Sequence, residues 1–496
     1  MFLFGLVMLS TVRVNIAKTT PTDMEYGVNY LSTWWHYEPK YLSDQELDND
    51  FRLFSDNSLK YVTLVVVWKY IEPALGNYNH TALDDLKRVC QFAAQHGLQA
   101  IIDFHTMMQE NTFTMPTWLS PRKFETVLKN TTAKQAWLNF LDHTVSYLST
   151  IENIHSWHMM NEPARGSWAC NVTVDDFVNL WSEMRSIFKS HSTKPVSIRF
   201  AAGTFDTHFN RDQRIYEVCD YVALNWYENL YSPEHLTALV TEIRQHRTVM
   251  ISEFGYDEID DDILQAEAYR GYVELFKKIG VSVCIAWLWR ADHDQGSPDP
   301  PGTGFNLAKN VTTENAHPRT AFCLLKTTEH DLGITAMTTS KTVIGQGYSL
   351  NVNVGIADYG TDNETFTLEV YANSSIIKTF QNIKLESGNS TNVTCTWDTS
   401  GFEKGQYILS AYIQPIQGET VVFDNRRASN TIRVTILGDV DGDSDVDILD
   451  VVRIAVVYGL RMGDLKFDAN SDLDNDGSIN VIDLVICTVH YHPSYP

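Results

Sequence analysis

The chain has 496 residues, a length that suggests about three domains at roughly 150 residues each. Hydrophobic residues make up 44% and charged residues 20%, which excludes wholesale disorder, collagen-like structure and a polytopic membrane protein. With 38 Lys+Arg against 62 Asp+Glu the net charge is −24, which argues against nucleic acid or anionic lipid as a partner, since both need clustered cations.

Residues 2–10 are apolar over the length of a signal-peptide core and too short to span a bilayer. We read 1–23 as a leader, the protein as secreted or displayed at the cell surface, and no membrane span as remaining once the leader is removed. Sequons headed by Asn79, Asn130, Asn171, Asn310, Asn363, Asn373, Asn389 and Asn392 support export. The seven cysteines lie far apart without a C-x-x-C pair, so neither a zinc site nor a dense disulfide framework is expected. Their odd number leaves at least one thiol free, and Cys90 and Cys284 read as packing residues.

From 24 to 326 short apolar runs alternate with amphipathic stretches. Eight runs read as strands: 26–30, 61–68, 100–104, 156–160, 196–201, 221–225, 248–252 and 281–287. Between them lie helical patterns such as 81–97, where Leu83, Leu86, Val89, Cys90 and Ala93 share a face, with Thr81 as the expected N-cap and Gly97 as the stop. Strands that are apolar throughout belong to parallel sheets covered on both faces. Eight such units in about 300 residues predict an α/β fold, a (β/α)8 TIM barrel.

After His330 the texture changes to Thr, Ser, Asn and Val, with alternating runs at 348–354, 365–371 and 407–412. These read as an all-β sandwich spanning 327–437. Gly418-Glu419-Thr420 leading to Asp424-Asn425 resembles the CARDB adhesion-related modules of extracellular proteins.

The tail, 438–496, holds 12 Asp and no Glu against Arg453, Arg461 and Lys466, so −9 of the total charge sits there. Its spacing is duplicated. Asp439, Asp441, Asp443, Asp445, Asp447 and Asp450 recur 33 residues on as Asp472, Asp474, Asp476, Ser478, Asn480 and Asp483. Side-chain oxygens at loop positions 1, 3, 5, 9 and 12, with a backbone carbonyl at 7, suit two structural Ca²⁺ ions. Each loop leads into an apolar segment, 448–458 and 481–491, expected to be helical. Asp at position 12, and no helix before either loop, resemble the type I dockerin. That resemblance implies a small α-helical calcium-binding module of duplicated F-hands and a cohesin-like partner.

Barrel enzymes carry their chemistry just after each strand. Two carboxylates stand there: Glu162 in Trp157-His158-Met159-Met160-Asn161-Glu162-Pro163 after the fourth run, and Glu253 in Val249-Met250-Ile251-Ser252-Glu253-Phe254-Gly255 after the seventh. Glycoside hydrolysis needs two convergent carboxyls. On these motifs the first 300 or so residues resemble the clan A glycoside hydrolases, most nearly the cellulase family, family 5. The resemblance implies a retaining double displacement with Glu162 as acid/base and Glu253 as nucleophile, carboxyls about 5–5.5 Å apart, and no catalytic cofactor.

The same resemblance implies that Asn161 bonds the sugar 2-hydroxyl, that His105 after strand three lines the −1 subsite, and that Tyr227 after strand six orients the nucleophile. Of Trp287 and Trp289, one is implied to be the platform under the −1 sugar, the other either site or core. Trp34, Trp35, Trp68, Trp118, Trp168 and Trp226 lie in or beside the expected βα loops, as cleft or as core. Two positions depart from the family: Thr63 stands where an Arg precedes the strand-two Trp, here Trp68, and Asn225 replaces a strand-six His. An Arg there helps keep the nucleophile ionised, so another donor has room to replace it. The expected activity is hydrolysis of a β-1,4-glucan or mannan type of polysaccharide or oligosaccharide. An exo-β-glycosidase or transglycosylase of the same clan, and a non-catalytic carbohydrate-binding or adhesion protein, are the alternatives.

Overall fold

A computed structural model describes residues 24–30, 42–105, 114–164, 172–258, 261–289, 307–309 and 317–492. Trp34, Trp35, Trp168, Cys170, Asn171, Asn310 and the leader 1–23 lie outside them. The chain divides into two compact units, residues 1–326 and 327–496.

The first unit is a closed parallel barrel of eight strands in sequential order: β1 (Glu25–Asn29), β2 (Tyr61–Val66), β3 (Gln99–Phe104), β4 (Ile154–Asn161), β5 (Val196–Ala201), β6 (Val222–Asn225), β7 (Val249–Glu253) and β8 (Val283–Ala286). All of β2 and β5 is buried, because side chains on one face fill the barrel and those on the other meet the helices. β1 closes on β8, with Gly27 opposite Ile285. A Cβ on Gly27 would lie 2.5 Å from the Tyr61 carbonyl oxygen, so this close strand approach requires glycine.

Covering helices begin at side-chain caps. Ser43 and Thr173 close capping boxes at Asp44–Asp56 and Val174–His191. Asn130, Ser232 and Asp261 cap Thr131–Leu148, Pro233–Ile243 and Asp262–Ile279. For the helix expected at 81–97 the cap is Asn79 rather than Thr81: the helix is His80–Gln95, and the Asn79 side chain accepts from the Ala82 amide. Gly97 follows its end at φ +75.

Low in the barrel, the Tyr221 hydroxyl lies 2.8 Å from both Ser156 Oγ and His158 Nε2. Burial, with Arg199 nearby, pushes the His158 imidazole down to about 3, so it is neutral. Six described cysteines are free thiols, Cys90 and Cys284 among them and buried.

The second unit is all-β, then helical. A three-stranded sheet orders Leu332–Thr339, Ser349–Asp358 and Ser390–Asp398. A five-stranded sheet orders Val343–Gly345, Arg426–Thr435, Gly405–Ile413, Glu364–Ala372 and Ser375–Leu385. Alternating residues of both sheets form one core, including Val352, Leu368, Leu409 and Trp397. Trp397 meets Phe402 and Tyr407 edge-on, at centroid distances of 5.1 and 5.4 Å.

Beyond the last strand come helices Ile448–Val456 and Val481–Val489. They share a small core of Val440, Val446, Ile454, Leu473, Ile479 and Cys487. This segment is tied to the sandwich. Thr435 Oγ1 donates to Asp439 Oδ2 at 2.6 Å, and Asn470 Oδ1 accepts from the Thr342 and Val343 amides at 3.0 and 3.1 Å. The buried Lys341 ammonium donates to the Asp472 carbonyl.

Trp397→Ala is expected to cost about 3–5 kcal/mol, lowering the denaturant midpoint of the transition that exposes the sandwich amides to hydrogen exchange.

Candidate functional site

The strand ends bring the expected residues together. Glu162 sits at φ +48, a left-handed conformation uncommon for a residue with a side chain. Its amide donates to the Arg199 carbonyl at 2.7 Å, which holds the bend after β4 against β5. Glu253 ends β7, and its backbone oxygen accepts from the Trp226 amide at 2.8 Å. Both carboxylates are buried, as are Asn161 and His105.

Asn225 joins β4, β6 and β7. Its Nδ2 donates to Asn161 Oδ1 at 3.1 Å and to Glu162 Oε1 at 3.3 Å, while its Oδ1 accepts from Ser252 Oγ at 2.8 Å. The residue that replaces the family's histidine therefore contacts the first carboxyl directly. Asn161 Nδ2 lies 3.2 Å from His105 Nδ1, and that nitrogen lies 3.3 Å from Asp103 Oδ2.

Among the described residues two side chains donate to Glu253. The Tyr227 hydroxyl donates to Oε2 at 3.0 Å, and Arg199 Nη2 donates to Oε1 at 2.5 Å. Burial, together with the two carboxylates, holds the Tyr227 hydroxyl well above its ordinary value, so it stays a donor. Arg199 fills the place left by Thr63, reaching the carboxylate from β5 instead of β2. Arg199 was not among the expected site residues, although an arginine inside the apolar run 196–201 is a signal in itself: a buried cation needs an anion beside it. Burial raises the Glu253 carboxyl to about 8, with Arg199 pulling against that shift and the Glu162 charge adding to it. The ionisation of Glu253 is thus coupled to the charge of its neighbour Glu162.

The aromatic expectations divide. Trp287, partly exposed at the end of β8, donates its amide to the Phe254 carbonyl at 2.7 Å and precedes a cis peptide to Leu288. Trp289, named above as a sugar-binding candidate, is core instead: it is fully buried, edge-on to Phe54 at 4.9 Å and tilted on Phe322 at 5.0 Å. Trp68 and Trp226 are also buried core residues. Trp118 is partly exposed and packs edge-on to Trp68 at 5.4 Å.

In the second unit the acidic repeat closes two loops with matching bonds. Asp450 Oδ1 accepts from the Val440 amide at 2.7 Å and Oδ2 from Asp447 at 2.9 Å. In the second copy, Asp483 Oδ1 accepts from Leu473 at 2.6 Å and Oδ2 from Asn480 at 2.8 Å. The Asp445 amide donates to Asp443 and the Ser478 amide to Asp476. Asp439, Asp441 and Asp450 bring carboxylate oxygens within 4.8 Å of one another, as do Asp472, Asp474 and Asp483. Burial, then neighbouring carboxylates, raises Asp441 above its ordinary value. Asp472 Oδ1 is buried without a hydrogen-bond partner. An all-oxygen set with an orphaned carboxylate oxygen fits a hard divalent cation.

Residues 17–293, over half of the chain, match the family described as cellulase, glycosyl hydrolase family 5. The molecule is thus a glycoside hydrolase. The chain belongs to glycosyl hydrolase family 5, and residues 329–418 match CARDB. No curated protein matches it. Among solved structures it is similar to a GH5_18 protein of Bifidobacterium longum subsp. infantis, at 15% identity and TM-score 0.50 over 61% of this chain and 77% of that one. It is similar to a GH5_18 variant from Streptomyces cattleya in complex with Manβ1-4GlcNAc, at 13% and 0.51 over 61% and 79%. The exo-β-1,4-mannosidase Op5Man5 from Opitutaceae bacterium strain TAV5 matches at 14% and 0.52 over 61% and 58%. At these identities the likeness is one of fold. Among the described residues no helix is long and apolar enough to cross a membrane.

Tyr227→Phe removes one charge-assisted donor from Glu253 and is expected to lower kcat/KM about 10- to 100-fold; an unchanged value would show that the hydroxyl does not act on Glu253.

Proposed function

We propose that the chain is a retaining β-glycosidase acting on β-linked mannan- or glucan-type oligo- or polysaccharide. The observation that carries this reading is the pair of buried carboxyls at the ends of β4 and β7, differently supplied with donors. Arg199 and Tyr227 favour the anion on Glu253, which suits it to attack and leaves the acid role to Glu162. Glu162 then protonates the departing glycosidic oxygen while Glu253 attacks the anomeric carbon, giving a glycosyl-enzyme and a free alcohol. Glu162, now the base, takes a proton from water, whose oxygen displaces Glu253 with a second inversion. In this reading Asn161 bonds the sugar 2-hydroxyl, His105 lines the same subsite and Trp287 lies under the ring.

The mannan end of the range draws support from the Manβ1-4GlcNAc of one structural relative and the exo-β-1,4-mannosidase description of another. The second also favours exo action as the alternative reading. Glu253→Gln is expected to lose turnover of activated aryl β-glycosides, and azide is expected to restore Glu253→Gly as an α-glycosyl azide. Full activity of Glu253→Gln would overturn the nucleophile assignment. A panel of aryl β-mannoside, aryl β-glucoside, mannan and cellulose decides the sugar.

For the tail, the proposed ligands are two structural Ca²⁺ ions held by Asp439, Asp441, Asp443, Asp447, Asp450 and the carbonyl of Asp445, and by the corresponding Asp472, Asp474, Asp476, Asn480, Asp483 and the carbonyl of Ser478. Their bound charge would offset the mutual repulsion of the carboxylates. The dockerin-like role with a cohesin-like partner is supported by a repeated exposed apolar face: Ile448, Leu449 and Val452 on one helix match Val481, Ile482 and Val485 on the other. Export to the cell exterior, the compartment proposed for this protein, supplies calcium at the concentrations such extracellular modules use. Chelation is expected to raise hydrogen exchange across 438–492 while glycosidase activity persists; exchange that does not respond to calcium would count against the ion.

A further inference from the structure

Arg199 is fully buried, and its guanidinium lies between two carboxylates. Nη2 donates to Glu253 Oε1, to Asn29 Oδ1 and to the Ser252 carbonyl, at 2.5, 3.0 and 3.0 Å. Nη1 donates to Asp103 Oδ2 at 3.1 Å. Asp103 is likewise fully buried, on β3. We infer that Asp103 and Arg199 are a positioning pair for Glu253: Arg199 holds the carboxylate's charge, and Asp103 limits that hold and remains as Arg199's partner once Glu253 is esterified. The inference rests on Glu253 being the nucleophile.

The reason lies in the charge balance of the reaction. When Glu253 bonds to the anomeric carbon, its negative charge disappears from beside a fully buried guanidinium. A lone arginine would then be a buried, unpaired cation, which costs several kcal/mol. Asp103 keeps the guanidinium neutralised through the intermediate, so the reaction never has to orphan it. Before attack, Asp103 draws on the same guanidinium, so Glu253 is held less tightly as an anion and is a better nucleophile. Although burial opposes it, Arg199 brings the Asp103 carboxyl below its ordinary value, so Asp103 is ionised.

The other titratable groups facing this cluster are Glu162 and His158 from β4, His105 from the end of β3, and Tyr227 beyond β6. His158 is neutral by burial. Glu162 and Tyr227 remain in both variants below.

The test is the acidic limb of the kcat/KM–pH profile on an activated aryl glycoside, which reports the ionisation of the free enzyme's nucleophile. In Asp103→Asn, which preserves shape and the acceptor for Arg199, Glu253 feels the whole guanidinium charge. The limb is expected to move to lower pH by about one unit, with a slower glycosylation step in rapid-mixing bursts. In Arg199→Met the limb is expected to move to higher pH, and Arg199→Lys is expected to recover part of that shift. Loss of structure common to both variants cannot move the limb in opposite directions. A limb that is unmoved or raised in Asp103→Asn overturns the inference, and that variant decides alone if Arg199→Met fails to fold. Azide rescue of Glu253→Gly separates the outcomes: rescue with an unmoved limb refutes only the positioning pair, whereas no rescue refutes the nucleophile reading beneath it.

Discussion

Arg199 is buried in the mouth of a closed barrel, where water cannot solvate its charge, and the surrounding strands are arranged to answer it. Asn29 comes from β1, Asp103 from β3, and Ser252 and Glu253 from β7. With Arg199 itself on β5, these are the odd-numbered strands, which in an eight-stranded barrel send their side chains into the same layer. One buried cation therefore sets the register in which the second carboxylate is presented. Asn161, Glu162 and Asn225, from the even strands β4 and β6, meet that layer through the Asn225–Ser252 bond. The two carboxyls are thus held by different networks, Glu253 by a guanidinium and a phenol hydroxyl and Glu162 by the Asn225 amide. Two carboxyls in different surroundings are what acid and nucleophile roles require.

The second unit meets its charge problem in another way. Its carboxylates face each other across short loops, with backbone amides, the Thr435 hydroxyl, Lys341 and Arg453 as donor or cationic groups nearby. The two copies share the bonds that close each loop on Asp450 and Asp483. Asp439 Oδ1, however, accepts from the Gly442 amide while Asp472 Oδ1 has no such partner, and their anchors to the sandwich differ. Thr435 bonds the first aspartate of the first loop through its side chain, and Lys341 reaches the corresponding aspartate of the second through its carbonyl. A duplication that is symmetric in sequence is made asymmetric by what it packs against.

Much of the barrel was legible because its signals are local. An apolar run with no alternation implies coverage on both faces, and eight of them with helical stretches between imply closure. The sandwich was legible from its alternation and the tail from its double register. The N-cap at Asn79 was misplaced by two residues, since Thr81 and Asn79 both satisfy the capping pattern and only the bond to Ala82 distinguishes them. Which of Trp287 and Trp289 is core stayed open in the sequence, because alternation along β8 places two tryptophans at the barrel end without saying which one the helix Asp44–Asp56 and Phe322 cover.

The positions of Glu162, Glu253, Asn161, His105 and Tyr227 followed from where each apolar run ends, which chain order alone specifies. What surrounds Glu253 did not. The family's arginine is missing from strand two, and nothing local shows that an arginine 136 residues after Thr63 takes its place. Sequence by itself determined the eight-fold alternation, the paired carboxylates and the duplicated acidic loops, because each is a pattern of neighbours along the chain. Only the tertiary structure decided which cation pairs with which carboxylate, because Asp103, Arg199 and Glu253 become neighbours solely by closure of the barrel.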